Sequence, residues 1–141
     1  MKLYIAGASA EIERCEAFRD AAVALGYEIT GDWCTMIRSV GNANVWITVE
    51  QRRAAEDLAT SGVAACELFV LLMPRTLRNG SWEYGHTIGA WCELAMAKRG
   101  EKEILLVGER PERTVFTVDL ECIATDAEAL MWMRGRLANG G

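Results

Sequence analysis

The chain contains 141 residues, of which 51% are hydrophobic and 25% charged, a composition typical of one folded, soluble domain covering residues 1–141. The net charge of −5, without a strong lysine or arginine cluster, argues against a nucleic-acid polymer as partner, because such binding depends on neutralising phosphates. No apolar stretch reaches the roughly 18 residues that cross a membrane, so we expect no membrane partner. Five cysteines without a C-x-x-C pair, and a single histidine, His86, argue against a metal site or a disulfide framework. We therefore expect no metal, no cofactor and a cytoplasmic location.

The first half of the chain predicts strands alternating with helices. In chain order these are a strand at 2–6, a helix at 11–25, a strand at 27–30, a loop at 34–47 and a helix at 50–60. Apolar residues recur at helical spacing from Ile12 to Leu25, and Gly26 follows where a C-terminal cap belongs. Residues 34–47 show little periodicity, and loops of that length often carry function.

The second half continues the alternation. It predicts a strand at 68–73, a helix at 82–99, a strand at 103–108, an extended piece at 114–117, a weak strand at 121–124 and a helix at about 126–137. Pro74 stops the first of these strands, and Asp126 is the expected cap of the last helix.

Strands that alternate with helices pair in parallel through right-handed crossovers. The expected fold class is therefore α/β, a three-layer sandwich with a flavodoxin-like or Rossmann-like parallel sheet of four to five strands in the order 2-1-3-4-5. Ligands of such sheets bind beyond the carboxyl ends of the strands, which directs attention to the residues that follow each strand.

Gly7-Ala8-Ser9 follows the first strand. It is not a G-x-G-x-x-G fingerprint, and no G-x-x-x-x-G-K-[ST] occurs, which argues against hydride transfer and P-loop phosphoryl transfer. The small residue Gly7 can let a ligand approach the backbone, and Ser9 can donate to a phosphate or a sugar hydroxyl near a helix N-terminus. A plain tight turn explains the segment equally well.

Asp32-Trp33 lies just beyond the second predicted strand. An aromatic ring at a strand end can stack on a base, and a neighbouring carboxylate can hold a hydroxyl. The alternative interpretation is a capped turn with a partly buried tryptophan.

The segment Asn79 to Gly85 follows the third predicted strand, after a loop that carries Arg75 and Arg78. Within it, Glu83 is predicted to lie at the start of a helix, where Trp82 and Tyr84 flank it. A carboxylate in a partly dry pocket can act as a nucleophile or a base. Alternatively, Glu83 is a first-turn glutamate that interacts favourably with the helix dipole.

His86 follows Glu83 by three residues and is predicted to share its helix face. It is a candidate to tune the glutamate or contact substrate, or else it is structural.

Together these residues resemble the nucleoside 2-deoxyribosyltransferase family, in the broad sense that includes 2'-deoxynucleoside 5'-phosphate N-hydrolases and small phage and bacterial relatives. The resemblance covers nearly the whole chain. Its motifs are the first strand Lys2-Leu3-Tyr4-Ile5-Ala6-Gly7, Asp32-Trp33, an acidic residue before the third strand (Glu67, where Asp is usual) and Gly80-Ser81-Trp82-Glu83-Tyr84-Gly85. It implies that Glu83 attacks C1' of the deoxyribose and forms a glycosyl-enzyme intermediate, which another base or water resolves.

The resemblance also implies substrate contacts for Gly80, Ser81 and Trp82, and an aspartate that contacts the sugar or orients the nucleophile. Asp57 and Glu67 are the available acids, and Asp57 is the preferred candidate.

The spacing departs from the family pattern, because one residue rather than two separates Ser81 from Glu83. A second alignment, Gly89-Ala90-Trp91-Cys92-Glu93-Leu94-Ala95, fits the spacing from glycine to glutamate but lacks the following glycine. Glu83 is the preferred nucleophile and Glu93 its rival.

The expected activity is cleavage or exchange of the N-glycosidic bond of a 2'-deoxynucleoside or its 5'-monophosphate. Ser9, Ser81 and Arg75 are candidates to bind a 5'-phosphate. The expected partners are a small-molecule nucleoside or nucleotide and further copies of the chain, as a homodimer or higher homo-oligomer. The alternatives are a non-catalytic nucleotide-binding or sensor module and a plain flavodoxin-like interaction domain. The sequence leaves the base preference and the choice between transferase and hydrolase open.

Overall fold

The computed structural model describes residues 1–41, 48–73, 76–78, 81–83, 88–108, 117 and 119–139, with the backbone alone for 76–78, 81–83 and 88. The strands are β1 (Lys2–Ala6), β2 (Glu28–Ile29), β3 (Leu68–Leu72), β4 (Thr76–Arg78), β5 (Ser81–Glu83), β6 (Glu103–Val107) and β7 (Glu121–Ile123). The helices are α1 (Ile12–Leu25), α2 (Trp33–Ser39), α3 (Val49–Ala65), α4 (Ile88–Arg99) and α5 (Asp126–Ala138), and a short 3-10 helix (Ser9–Glu11) precedes α1.

Five strands form an all-parallel sheet in the spatial order β2-β1-β3-β6-β7. Counted within this sheet the order is 2-1-3-4-5, which confirms the predicted fold class. The central strands are in register, with Tyr4 opposite Phe69 and Phe69 opposite Ile104. The carboxyl ends of β1 and β3 therefore lie side by side in the middle of the sheet.

Alternate residues of the central strands enter two apolar layers, one on each face of the sheet. Leu3 and Ile5 of β1 pack on the side of α1 and α5, whereas Tyr4 packs on the side of α3 and α4. The Tyr4 ring stacks on Phe69 with ring centroids 5.7 Å apart. Both faces are buried, as a parallel sheet with crossover helices requires.

Helix α2 covers the first part of the loop that we predicted at 34–47, so that prediction is wrong for residues 34–39. Asp32 caps the helix, and its side chain accepts a hydrogen bond from the backbone of Thr35. Cys34 and Ile37, three residues apart, bury one face of the helix. Seven residues are too few for a clear helical period, which explains why the pattern was not recognised.

Helix α3 runs past Ser61 and Gly62 instead of ending at Thr60. The Ser61 hydroxyl donates back to the carbonyl oxygen of Asp57, so the serine remains compatible with the helix. A capping box of Thr48 and Gln51 starts the helix.

The last helix is also capped differently from the prediction. Thr125 rather than Asp126 is the N-cap of α5, where it forms a capping box with Glu128.

The predicted helix over 82–99 is wrong in its first part. Ser81 to Glu83 form β5, which pairs antiparallel with β4, and α4 begins only at Ile88. In the sequence, Asn79-Gly80 separates the two paired segments, and this dipeptide is a strong signal for a hairpin. Glu83 therefore does not lie at a helix start.

Of the predicted extended piece at 114–117, only Thr117 lies within the described residues, in a turn. Among the helices that the structure describes, none has the combination of length and apolarity needed to cross a bilayer.

Two glycines leave room for the Tyr4 ring. A Cβ at Gly62 would lie 2.8 Å from Cδ2 and Cε2 of this ring, and a Cβ at Gly31 would lie 2.6 Å from its Cε2. Real Cβ atoms do not approach carbon so closely, so both positions must lack a side chain if α3 is to pack against β1.

We predict that Gly62→Ala lowers the free energy of unfolding by roughly 1–2 kcal/mol, because the overlap with Tyr4 outweighs the better helix propensity of alanine. The matched control is Gly135→Ala in α5, where an added Cβ meets no atom within 4 Å. That substitution should stabilise the protein by about 0.5–1 kcal/mol. Urea unfolding measures both, and stabilisation by Gly62→Ala would contradict the packing described.

Candidate functional site

A cavity of about 530 Å³ lies beside the carboxyl end of β1, between α2, α3 and α4. Its size suits a small organic ligand, and its position is the one that ligands take in open parallel sheets. Gly7 and Ser9, which follow β1, contribute to its lining. Three helices supply the other walls, and each wall has a different chemical character.

Gly7 lies close to a neighbouring side chain. A Cβ at this position would lie 2.6 Å from Sγ of Cys15, so only glycine fits. Ser9 follows at the start of the 3-10 helix and places a hydroxyl at the edge of the cavity. The predicted approach of a ligand to this turn therefore has a matching cavity.

The wall from α2 is apolar. Trp33 and Ile37 line the cavity from this helix. The indole Nε1 of Trp33 donates a hydrogen bond of 2.8 Å to the carbonyl oxygen of Ile5. Because this polar edge is used against the backbone of β1, the rest of the indole can offer an apolar, aromatic surface to a flat ligand.

Asp32 holds α2 in place. Its carboxylate accepts hydrogen bonds from the backbone N–H of Thr35 at 3.0 Å, from the Thr35 hydroxyl at 2.7 Å and from Arg19 at 2.9 Å. Burial on its own would raise the pKa of Asp32, but the hydrogen bonds from Thr35 and Arg19 outweigh it and lower the pKa. Asp32 is not among the described residues that line the cavity, so its observed contacts are those of a helix cap.

The wall from α4 carries a carboxylate. Glu93 is half-buried, lines the cavity and accepts a hydrogen bond of 3.0 Å at Oε1 from the Tyr4 hydroxyl. Burial raises the pKa of Glu93 to about 7, and the hydrogen bond from Tyr4 counteracts only part of that rise. Burial and the nearby Glu93 together raise the pKa of Tyr4, so the phenol remains protonated and able to donate.

The wall from α3 presents one face of that helix. Arg52, Glu56 and Thr60 follow one another at intervals of four residues and line the cavity with two alanines between them. Asp57 is exposed and is not among the described lining residues. The helix thus turns Glu56, rather than its neighbour Asp57, towards the cavity.

The predicted site residues have different outcomes. Gly7, Ser9 and Trp33 share one cavity, whereas Asp32 and Asp57 lie outside its lining. Ser81, Trp82 and Glu83 are described by their backbone in β5 only, and Gly80 and His86 lie outside the described residues. Their roles stay predictions.

Sequence reasoning missed Tyr4 and three polar residues that line the cavity, Arg52, Glu56 and Thr60. Tyr4 was assigned only to a strand, although a tyrosine in a buried strand needs a partner for its hydroxyl. The spacing of four residues between Arg52 and Glu56 was visible, but no pattern showed which face of α3 borders a cavity.

Neither the known family models nor the curated proteins include a match to this chain. Among solved structures, the CMP N-glycosidase BcmB of Clostridium botulinum has a similar fold, with a TM-score of 0.60 and 14% sequence identity. The similarity covers 94% of this chain and 98% of that protein. At this identity it shows that the two chains share a fold.

We predict that Glu93→Gln stabilises the protein above pH 7 and does so much less at pH 4.5. Folding raises the pKa of Glu93 from 4.5 to about 7. The native state therefore binds this proton more tightly, and the resulting stability is lost as the pH rises from 4.5 to 7. At pH 8 the charged form costs at most roughly 3 kcal/mol, which glutamine removes while keeping an acceptor for Tyr4.

Urea unfolding of both proteins at pH 4.5 and pH 8 measures this difference. Glu50→Gln, at an exposed position on α3, controls for the loss of one negative charge. An equal effect of Glu93→Gln at the two pH values would contradict the assigned environment.

Proposed function

We propose that the protein is an enzyme that cleaves or exchanges the N-glycosidic bond of a 2'-deoxynucleoside or its 5'-monophosphate, with Glu93 as the nucleophile. One observation carries the proposal: the Glu93 carboxylate faces the cavity with one oxygen held by Tyr4. The resemblance of the sequence to nucleoside 2-deoxyribosyltransferases supports the same chemistry. So does the fold shared with a CMP N-glycosidase, which acts on the same class of bond.

In the proposed first step, an oxygen of the ionised Glu93 attacks C1' of the sugar. A C–O bond forms, the C1'–N bond breaks, and its electron pair leaves with the base, which takes up a proton. In the second step, water or another base attacks C1', the C1'–O bond to Glu93 breaks and releases the carboxylate, and the proton that the attacking group loses balances the one that the leaving base took up. Tyr4 donates to Oε1 and thereby orients the carboxyl group so that Oε2 can point towards the sugar.

The cavity favours Glu93 as the nucleophile over Glu83, which the sequence pattern favours. Glu93 lies on α4 with its side chain in the cavity, and the glycine at position 89 that precedes it in the second alignment also lines that cavity. Glu83 lies in the β4–β5 hairpin, so the expected setting at a helix start does not apply. The test includes both glutamates, because each fits part of the family pattern in the sequence.

The proposal leaves the other predicted roles to experiment. Asp57 is exposed on the outer side of α3, so Asp57→Asn belongs in the same assay as a test of its predicted catalytic role. Addition of a second free base distinguishes exchange from hydrolysis, because only a transferase forms the new nucleoside. Assembly into a homo-oligomer also stays a prediction, which sedimentation velocity tests.

We predict that Glu93→Gln lowers base release by at least about 10³-fold, because the amide cannot form the glycosyl ester. Glu83→Gln should retain activity within a fewfold of the wild type. Chromatography of free bases after incubation with deoxynucleosides and their 5'-monophosphates measures both variants. Loss of activity in Glu83→Gln alone would identify Glu83 as the nucleophile. Tight nucleotide binding without base release by the wild type would favour a sensor module.

We predict that kcat/KM rises with pH through about 7, because Glu93 must be ionised to attack. The hydrogen bond from Tyr4 lowers the pKa of Glu93, so Tyr4→Phe should move this rise to higher pH. At pH 6.5 the kcat/KM of Tyr4→Phe should be about tenfold below that of the wild type, in line with the strength of a hydrogen bond to a charged group. This difference in kcat/KM should diminish at alkaline pH. The charged residues Arg52 and Glu56 of α3 line the same cavity. The wild type and Tyr4→Phe are therefore compared at constant ionic strength, because salt screens such charges.

The pH profile of Tyr4→Phe separates this role from a packing role. A loss of equal size at every pH would show that Tyr4 supports the site by packing alone.

A further inference from the structure

The α3 wall of the cavity has a feature that the proposed chemistry does not use. Arg52 and Glu56 both line the cavity from the same helix face. Four residues of an α-helix span about 6 Å along its axis, so Arg52 and Glu56 lie one turn apart on the same face of α3. The cavity therefore offers adjacent groups of donors and acceptors on one wall.

The topology determines where Arg52 and Glu56 lie relative to the carboxyl edge of the sheet. Helix α3 leads into β3, so it runs antiparallel to the strands, and its N-terminal turns lie at the carboxyl edge of the sheet. Arg52 is in the first turn and Glu56 in the second. Arg52 is thus nearer to the carboxyl edge of the sheet, Glu56 follows one turn later, and both side chains are exposed.

A flat ligand on the apolar wall has this pair within the same cavity. Helix α2 packs beside α3, so a base stacked on Trp33 can direct its polar edge towards α3. A phosphate is a poorer occupant of this wall, because Glu56 adds a negative charge one turn from Arg52. A neutral base edge that carries both donors and acceptors matches the two side chains.

We propose that Arg52 and Glu56 read the base, and that they select bases whose donors and acceptors are segregated along the edge. This inference rests on the proposed function, because it names the substrate class of the same cavity. The Watson–Crick edge of cytosine presents a donor, the N4 amino group, followed by two acceptors, N3 and O2. The guanidinium can donate to O2 and N3 while the carboxylate accepts from the N4 amino group. Guanine presents an acceptor followed by two donors and satisfies the same pair.

Uracil and thymine do not fit in this way. Their edge alternates acceptor, donor and acceptor, so a two-pronged guanidinium that reaches O2 also meets the N3–H donor, and the carboxylate meets O4. Sites built to form hydrogen bonds discriminate strongly against ligands that leave their groups unpaired. The selected substrates are therefore nucleosides or nucleotides of cytosine or guanine.

The test compares 2'-deoxycytidine with 2'-deoxyuridine, which have the same size and differ only along the base edge. We expect the wild type to favour deoxycytidine about ten- to a hundredfold in kcat/KM. Glu56→Gln should lower that ratio at least about tenfold, because the amide can donate to O4 of uracil. Arg52→Met should lower turnover of both substrates and lower it more for deoxycytidine.

Two substitutions on the same helix serve as controls. Arg53→Met and Glu50→Gln remove the same charges at exposed positions that are not among the described lining residues, and they should leave the ratio unchanged. An equal loss of kcat/KM for deoxycytidine and deoxyuridine in Glu56→Gln would overturn the base-reading role. A defect of Arg52→Met that is confined to 5'-monophosphates and independent of the base would also overturn it, in favour of a phosphate contact.

Binding measurements separate this inference from the proposed function. Calorimetry with Glu93→Gln uses deoxycytidine and deoxyuridine as probes and needs no turnover. If the wild type releases no base but deoxycytidine binds more tightly and Glu56→Gln abolishes the difference, the base-reading role stands and the proposed chemistry fails. If base release occurs and neither binding nor turnover depends on Glu56, the chemistry stands and the base-reading role fails.

Discussion

The site depends on how one buried tyrosine is accommodated. Tyr4 lies on the second strand of the sheet in spatial order, fully buried, with Gly31 and Gly62 directly against its ring. This lack of side chains lets α3 approach β1, and the ring stacks on Phe69. Its hydroxyl, at the far end of the ring, reaches α4 and donates to Glu93. Tyr4 therefore packs in the core through its ring and holds the Glu93 carboxylate through its hydroxyl.

The carboxylate that Tyr4 holds differs from an ordinary surface glutamate because it is partly buried. Burial disfavours its charged form, and a single hydrogen bond from Tyr4 compensates only in part. Ionisation of this carboxylate costs stability, because its environment favours the protonated form. The pKa near 7 expresses the balance between burial and the hydrogen bond from Tyr4. Groups with pKa values shifted in this way are commonly found at functional sites.

The parallel sheet and its order were predictable, because they follow from alternating patterns that every buried strand and crossover helix must satisfy. The patterns failed where tertiary contacts decide the structure. Helix α2 is too short to show a period and depends on the cap at Asp32. Gly62 within α3 is not a helix end, because the Tyr4 ring beside it leaves no room for a side chain at this position. The hairpin of β4 and β5 was missed because the turn signal Asn79-Gly80 was given less weight than the helical pattern that follows it.

The site was predictable to the extent that it follows strand ends. Gly7, Ser9 and Trp33 come directly after β1 and β2, and topology alone brings them to one edge of the sheet. The side chains on α3 and α4 are different, because a helix has several faces and only packing decides which one borders the cavity. Hence Glu56 rather than Asp57 lines it.

Charged side chains have different surroundings on the two faces of the sheet. On the α1 side, Arg14 joins Asp126 of α5 and the carbonyl oxygen of Met73 after β3, and Arg19 joins the cap of α2. These contacts fix the elements around the cavity relative to one another. On the α3 and α4 side, Arg52, Glu56 and Glu93 all border one cavity. One face of the sheet thus uses ionic contacts to hold α2 and the end of β3, and three charged side chains on the other face line a cavity that a ligand can reach.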